Sequence, residues 1–285
     1  VGQAGQSRVA TTVAAEDRNN AVAWNPSSWE IGTLVGPVAG GLLYGIAPLA
    51  AYCTALALFA LGALFMLLVP RPVQKTFAQK TSWQTLVAGF HYVWHEKIVL
   101  GAISLDLFAV LLGGATALLP VYARDILDVG PWGLGLLRAG PGIGAVAVAV
   151  YLAKKPIRDH AGLAMFFFVG AFGLFTVVFG LSTIVWLSIV ALMLMGACDM
   201  ISVYIRETLL QLWTPDALRG RVNAVNLVFI GASNELGEFR AGISAALIGT
   251  VPAVVIGGIG TMAVAGIWAY TFPALRKARH LTGRV

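Results

Sequence analysis

Long apolar runs alternate with short polar segments along most of the chain. Apolar runs of roughly 20 residues are long enough to cross the hydrocarbon core of a bilayer as helices. The pattern predicts eight spans, over residues 22–46, 49–69, 98–122, 132–153, 161–181, 184–205, 222–249 and 252–272. The first and the seventh are the weakest, because serine, asparagine and charged residues interrupt both.

The longest polar segment between predicted spans covers residues 70–97 and has Pro70 and Pro72 near its start. Its apolar side chains recur at helical spacing: Trp83, Leu86, Val87, Phe90 and Val93 or Trp94. This spacing predicts an amphipathic helix that lies on the membrane surface. We therefore interpret the segment as a linker between two helix bundles.

Composition agrees with a multi-pass membrane protein, since 58% of the residues are apolar and only 11% are charged. The net charge of +6 comes from basic residues that gather on one side of the predicted spans. With residue 1 in the cytoplasm, the outer turns hold only Arg124, and the cytoplasmic segments include Lys154, Lys155, Arg206, Arg219, Arg221, Arg276 and Lys277. This bias predicts a plasma-membrane protein with both ends in the cytoplasm, and it argues against nucleic-acid binding.

The chain begins without methionine, and its first residues lack the basic-then-apolar layout of a signal peptide. We therefore expect a fragment of a longer protein. Cys53 and Cys198 both fall in predicted spans, which favours small packing residues over a disulfide.

Ionisable residues inside predicted spans are the first candidates for function, because charges are costly in a bilayer and usually face a bundle interior or a wet cavity. They are Glu30, Asp106, Arg138, Asp199, Glu235, Glu238 and Arg240. Asp106 is the leading candidate for proton coupling, because a desolvated carboxyl favours its neutral form. Asp199 is a second candidate. Either carboxyl is alternatively a packing group that binds a neighbouring serine or backbone atom.

Arg138 has two interpretations, an ion pair with Asp106 or Asp199 and an attraction for an anionic group. Further along the chain, Asn234 and Glu238 share one helical face. Together with Glu235 and Arg240 they predict a polar patch that lines a cavity, although a tight bundle would also satisfy them internally.

Glu30 is placed to face the same cavity from the first span, or to be solvated at the cytoplasmic end.

Signals for an enzyme are weak. His91 and His95 stand four apart, but HYVWHE does not match a known zinc-binding motif, so no metal site is predicted. Gly140, Gly142 and Gly144 lack the preceding strand and the following lysine of a nucleotide loop. All histidines lie outside the spans, so no intramembrane nucleophile has a base. We predict a protein that is not an enzyme and has no cofactor.

Two motifs carry a family resemblance. Gly32, Gly36, Pro37, Gly40 and Gly41 form the array G-x-x-x-G-P-x-x-G-G, which predicts a tightly packed and slightly bent helix. The array resembles the antiporter motif in helix 5 of the major facilitator superfamily. The stretch RETLLQLWTPDALRGRVNAV is similar to the helix 10–11 region of a branch that exports siderophores and macrolides, with Arg219, Gly220 and Arg221 in the loop.

The chain also departs from the family pattern. Ala23 occupies the place of a further motif glycine, and the loop YLAKKPIRDHAG has Tyr151 and Lys155 where the family's gating loop has glycine and aspartate. A short repeat, Arg18, Asn20, Ala21 and Val22 against Arg221, Asn223, Ala224 and Val225, supports two related halves.

The resemblance implies a truncated all-α major facilitator bundle of about eight transmembrane helices, numbered 5 to 12 in the family. Its parts would be a loop 1–21, helices 5–6 over 22–69, the linker 70–97, the C-terminal half 98–273 and a basic tail 274–285. The implied function is proton-coupled antiport of a small amphipathic compound by alternating access. The alternative is a non-transporting remnant or assembly partner. The expected partners are the substrate, protons and the bilayer, and the complete protein is expected to be monomeric.

Overall fold

A computed structural model describes residues 36, 39–40, 43–44, 46–68, 83–155, 157 and 159–278. Within these ranges the regular elements are helices, which confirms the predicted all-α class. The long helices are α1 Pro48–Leu68, α2 Trp83–His95, α3 Lys97–Gly113, α4 Pro131–Lys154, α5 Ala161–Leu181, α6 Val185–Trp213, α7 Asp216–Ile248 and α8 Thr250–Thr271. Short helical turns occupy Thr116–Leu118, Leu119–Val121, Tyr122–Ile126 and Pro273–Arg276.

Six helical stretches of the described part are long and apolar enough to cross a membrane: Pro48–Phe65, Lys97–Ile126, Pro131–Lys154, Ala161–Leu181, Val185–Trp213 and Thr250–Thr271. They correspond to six of the eight predicted spans. The predicted span 22–46 lies almost entirely outside the described residues. The predicted span 222–249 falls in α7, a continuous helix of 33 residues whose polar side chains keep it out of the apolar set.

The predicted span 98–122 is wrong in one respect, because it is a broken helix. Helix α3 ends at Gly113, and Gly114 adopts an extended conformation with φ −60° and ψ 102°. Helical structure then resumes at Thr116. A break inside a bilayer leaves backbone carbonyls without intrahelical partners, so it requires donors from elsewhere.

Helix α6 is longer than the predicted sixth span. Helix α6 continues past residue 205 to Trp213, and only Thr214 and Pro215 separate it from α7. Proline disfavours a helical residue before it, which explains the break at Thr214. Two consequences follow: Arg206 lies within α6, and Arg219, Gly220 and Arg221 lie in the first turns of α7, where the sequence predicted a loop.

The chain divides into two compact units. One comprises residues 1–80 and 130–139, and its helix α1 exposes large apolar side chains such as Phe59 and Leu67. The other comprises residues 81–129 and 140–285. This division does not test the predicted halves 22–69 and 98–273, which remain predictions.

Small residues set the helix contacts of the second unit. A Cβ atom added to Gly173 of α5 would lie 2.6 Å from the carbonyl oxygen of Gly258 in α8. A Cβ atom added to Gly196 of α6 would lie even closer to the backbone of Pro141 in α4. Such contacts are typical of helices that associate in membranes. Around them the buried core consists of Ile98, Leu105, Met165, Val169, Ile205, Leu209, Val264 and their neighbours.

The predicted amphipathic helix of the linker is present as α2. It belongs to the second unit, and its buried side packs there: Val93 is 2% exposed and clusters with Val99, Leu210 and Val222. Gly89 makes this approach possible, because a Cβ there would lie 3.0 Å from the Arg221 carbonyl oxygen. The helix is therefore docked onto α3, α6 and α7 along one face.

Candidate functional site

A buried ion pair joins α3 to α6. Oδ2 of Asp106 contacts Nη1 of Arg206, and the two residues are only 7% and 3% exposed. Buried charges are tolerated when they are paired. Each of these two residues therefore explains why the other can be charged at a buried position. The partner of Asp106 in the second unit is therefore Arg206. The pairing of Arg138 with Asp106 or Asp199 stays a prediction.

The pair continues into a polar chain that reaches α7. Arg206 Nε lies 3.7 Å from Oε1 of Glu207, the next residue along α6. The same oxygen accepts a hydrogen bond of 2.9 Å from Nδ2 of the buried Asn226. The guanidinium of Arg206 thus lies between two carboxylates, one on α3 and one on its own helix.

Asp106 and Asp199 line the same small cavity. The cavity has a volume of about 10 Å³, the space of about one water molecule. Its lining comes from α3, α5 and α6: Asp106, Ala109, Val110, Val169, Phe172, Cys198, Asp199 and Ser202. The structure therefore brings together two carboxyls that the sequence proposed separately.

Ser202 supplies a further polar atom to this cavity. Its residue is 3% exposed, and in the part of the chain that the structure describes its hydroxyl has no hydrogen-bond partner. A buried hydroxyl without a partner costs free energy, and a bound water would satisfy it. Ser202 lies one turn from Asp199 on α6, so both reach the cavity from one helix face.

Arg240 has a different role from the one expected. Nε of Arg240 donates to the carbonyl of Leu111 at 2.8 Å, and Nη2 donates to Leu112 at 2.6 Å. Both carbonyls belong to the last turn of α3. Thr261 of α8 donates to the carbonyl of Ala109 at 3.0 Å, and the Gly114 amide donates to that of Val110 at 3.0 Å. Arg240 is therefore a cap for the broken helix and does not join a patch with Glu235 and Glu238.

The other predicted residues of α7 face outward. Asn234, Glu235 and Glu238 are exposed on the second unit. On the first unit, Arg138 is exposed as well. Arg219 donates through Nε to the Gln211 carbonyl at 3.0 Å, which makes it a cap for the C-terminal end of α6.

Part of the glycine array is described. Gly36 and Gly40 are helical, and a Cβ atom at either position would have no atom of the described structure within 4 Å. The tight contact predicted for this helix therefore stays a prediction. Gly32, Pro37, Gly41 and Glu30 lie outside the described residues.

Sequence reasoning did not propose Arg206 or Ser202 for the site. Arg206 was counted with the cytoplasmic segments, because the apolar run ends near residue 205. A helical signal was available: Arg206 stands seven residues after Asp199, which is two turns along one face. Ser202 lies between them on the same face.

Comparison with known proteins gives the family. The model of the Major Facilitator Superfamily matches residues 2–237. The chain belongs to the Major Facilitator Superfamily. The superfamily consists of membrane transporters, which agrees with the prediction that this protein is not an enzyme.

Similar members of the Major Facilitator Superfamily are named enterobactin exporters. Enterobactin exporter EntS of Escherichia coli O1:K1 is 27% identical over 265 residues. The protein of the same name in Escherichia coli O139:H28 is 26% identical over 266 residues, as is that of Escherichia fergusonii. Each alignment covers 90% of this chain and 61% of the relative, so the chain spans about three fifths of the length of these proteins.

Proposed function

We propose that the complete protein exports a small amphipathic compound in exchange for protons. Family membership and the named exporters among its relatives support export. A siderophore, a macrolide or another drug of this character is the proposed substrate class. The protein would lie in the plasma membrane as a monomer with both ends in the cytoplasm, and it would work by alternating access between its two halves.

The cavity shared by Asp106, Asp199 and Ser202 is the observation that carries proton coupling. Two carboxyls beside one water-sized space provide a place where a single proton is bound and passed on. Ser202 would hold the water between them through its free hydroxyl. The two carboxyls line a cavity that a substrate could not enter, so this proton site would be separate from the substrate.

Protonation of Asp106 gives the proposed mechanism its coupling step. A proton on Oδ2 removes the negative charge that holds Arg206. Arg206 then keeps its contact with Glu207, and Glu207 lies on α6 itself. The charge contact between α3 and α6 is lost, which frees these helices to change their packing. Release of the proton on the other side of the membrane restores it.

The exposed polar residues would contact the substrate. Asn234, Glu235 and Glu238 on α7 and Arg138 on α4 are charged or polar side chains on exposed faces of membrane helices. Such residues are costly against lipid and are expected to face a wet pathway. We propose that Glu30 contributes to the same pathway, and that the glycine array packs the helix that carries it.

The test uses the complete protein in everted membrane vesicles with an imposed pH gradient. Asp106→Asn is expected to abolish proton-driven substrate movement, because an amide cannot release a proton, while the amount of protein in the membrane is unchanged. Asp125→Asn is the matched control, since this exposed carboxyl pairs with Arg124 at 2.6 Å outside the cavity. Unchanged movement in the Asp106→Asn protein would remove Asp106 from this role. Substrate movement in the wild type that does not respond to the gradient would overturn proton coupling. No substrate movement in the wild type would favour the non-transporting alternative.

A further inference from the structure

A second cavity, far from the carboxyls in the fold, opens at the end of the second unit where α5 begins and α8 ends. It has a volume of about 280 Å³. It is lined by His160, Leu163, Arg276 and Lys277. Two of these four side chains are permanently cationic at neutral pH, and the third is an imidazole.

Backbone contacts hold the segment that carries Arg276 and Lys277 in place. The chain after α8 crosses the first turn of α5, where the Gly162 amide donates to the carbonyl of Ala278 at 3.1 Å. Gly162 also lies against the Leu275 carbonyl, and a side chain there would prevent the crossing. Arg276 and Lys277 are thereby fixed beside the N-terminal end of α5. Asp159 precedes His160 but does not line the cavity, so the lining carries a positive charge.

The cavity lies at the basic end of the unit. Helices α5 to α8 run back and forth, so the start of α5 shares its end with the α6–α7 turn and the end of α8. The described basic residues of this end include Lys154, Lys155, Arg219 and Arg221. By the positive-inside rule this end faces the cytoplasm, where the membrane leaflet carries anionic lipid.

We infer that this cavity binds the headgroup phosphate of an anionic phospholipid. Arg276 and Lys277 supply the charge that a phosphodiester requires, and the positive end of the α5 dipole points the same way. Leu163 is 50% exposed and lies in the first turn of α5, where it would meet the start of an acyl chain. These side chains together fit a ligand that has a phosphate with an apolar chain beside it. The site does not depend on transport.

The test measures lipid binding to the purified full chain in a neutral detergent. Phosphatidylglycerol and phosphatidylcholine are titrated separately, and bound lipid is counted by native mass spectrometry together with the thermal unfolding temperature. The wild type is expected to retain phosphatidylglycerol preferentially. Each basic side chain near the surface accounts for about fivefold in affinity, so the double variant Arg276→Gln/Lys277→Gln should bind roughly 25-fold more weakly.

The control variant Lys154→Gln/Lys155→Gln removes the same charge from the same end, outside the cavity. It should change affinity by less than about twofold, because exposed charges beyond the site are screened. Equal weakening in the two double variants would overturn the site in favour of general charge attraction. If the double variant Arg276→Gln/Lys277→Gln unfolds without lipid, the single variant Lys277→Gln tests the site instead. Its affinity for phosphatidylglycerol should be about fivefold weaker.

Inorganic phosphate separates a lipid from a free anion. Stabilisation by millimolar phosphate equal to that by phosphatidylglycerol would overturn the lipid assignment. Leu163→Ser should weaken phosphatidylglycerol binding and leave any phosphate binding unchanged, since it removes only the apolar contact.

Discussion

Two arginines of the second unit lie in polar contacts within the bundle, and they bind different kinds of partner. Arg206 contacts the carboxylate of Asp106, a group that a proton can neutralise. Arg240 donates to the carbonyls of Leu111 and Leu112, which do not titrate. Protonation of Asp106 would therefore weaken the contact of Arg206, whereas the contacts of Arg240 have no titratable partner. Arg206 is the proposed switch because its partner is titratable, and Arg240 is a structural cap because its partners are not.

The largest expected effect is the loss of Arg206. Arg206→Met should lower the free energy of unfolding by about 3–5 kcal/mol, because it leaves the buried Asp106 without a countercharge. The double variant Asp106→Asn/Arg206→Met should recover most of that loss, since neither charge remains. Thermal and denaturant unfolding in detergent measure both. A double variant as unstable as Arg206→Met would show that the ion pair is not what Arg206 stabilises.

Loss of Arg240 should reduce stability by less than loss of Arg206, and the reduction should not depend on pH. Arg240→Met leaves two carbonyls at the break of α3 without donors and should cost about 1–3 kcal/mol. Arg240→Lys should recover part of this, because an ammonium can reach one carbonyl but not both in the guanidinium geometry. The unfolding temperature is measured between pH 5 and pH 8, relative to wild type. A pH-dependent difference for Arg240→Met would contradict the distinction from Arg206.

The smallest effect is expected at Ser202, and its sign is informative. If its hydroxyl holds a water against the two carboxyls, Ser202→Ala should lower the free energy of unfolding by about 0.5–1.5 kcal/mol. If the hydroxyl is truly unpaired, the alanine variant should be more stable than wild type. Ser233→Ala is the control, because that buried hydroxyl donates to the Ile230 carbonyl of its own helix. A stability gain at Ser202 would remove the water bridge.

Much of the fold could be predicted, and the errors have physical causes. The six apolar spans followed from run length, because each spanning helix needs a long apolar surface. The break of α3 at Gly113 was not visible, since its stabilising donors, Arg240 and Thr261, come from helices more than a hundred residues away. The apolar span was predicted to end near residue 205 because hydropathy falls at Arg206, although α6 itself continues to Trp213.

The sequence identified the two carboxyls of the candidate site but not the residues that they contact. Asp106 and Asp199 stood out because charges are rare in such spans, and the structure places both on one cavity. Helical spacing also groups Asp199, Ser202 and Arg206 on one face of α6. Spacing does not say which neighbouring helix that face meets, so the sequence left the partner of Asp106 open.

The amino-acid sequence by itself determined that this protein is helical, lies in a membrane and carries a few costly charges inside it. Those properties depend on composition and periodicity, which are local. Only the tertiary structure decided that Arg206 pairs with a carboxylate and Arg240 with a helix end. That assignment depends on how each helix is rotated and how closely glycines such as Gly173 and Gly258 let the backbones approach.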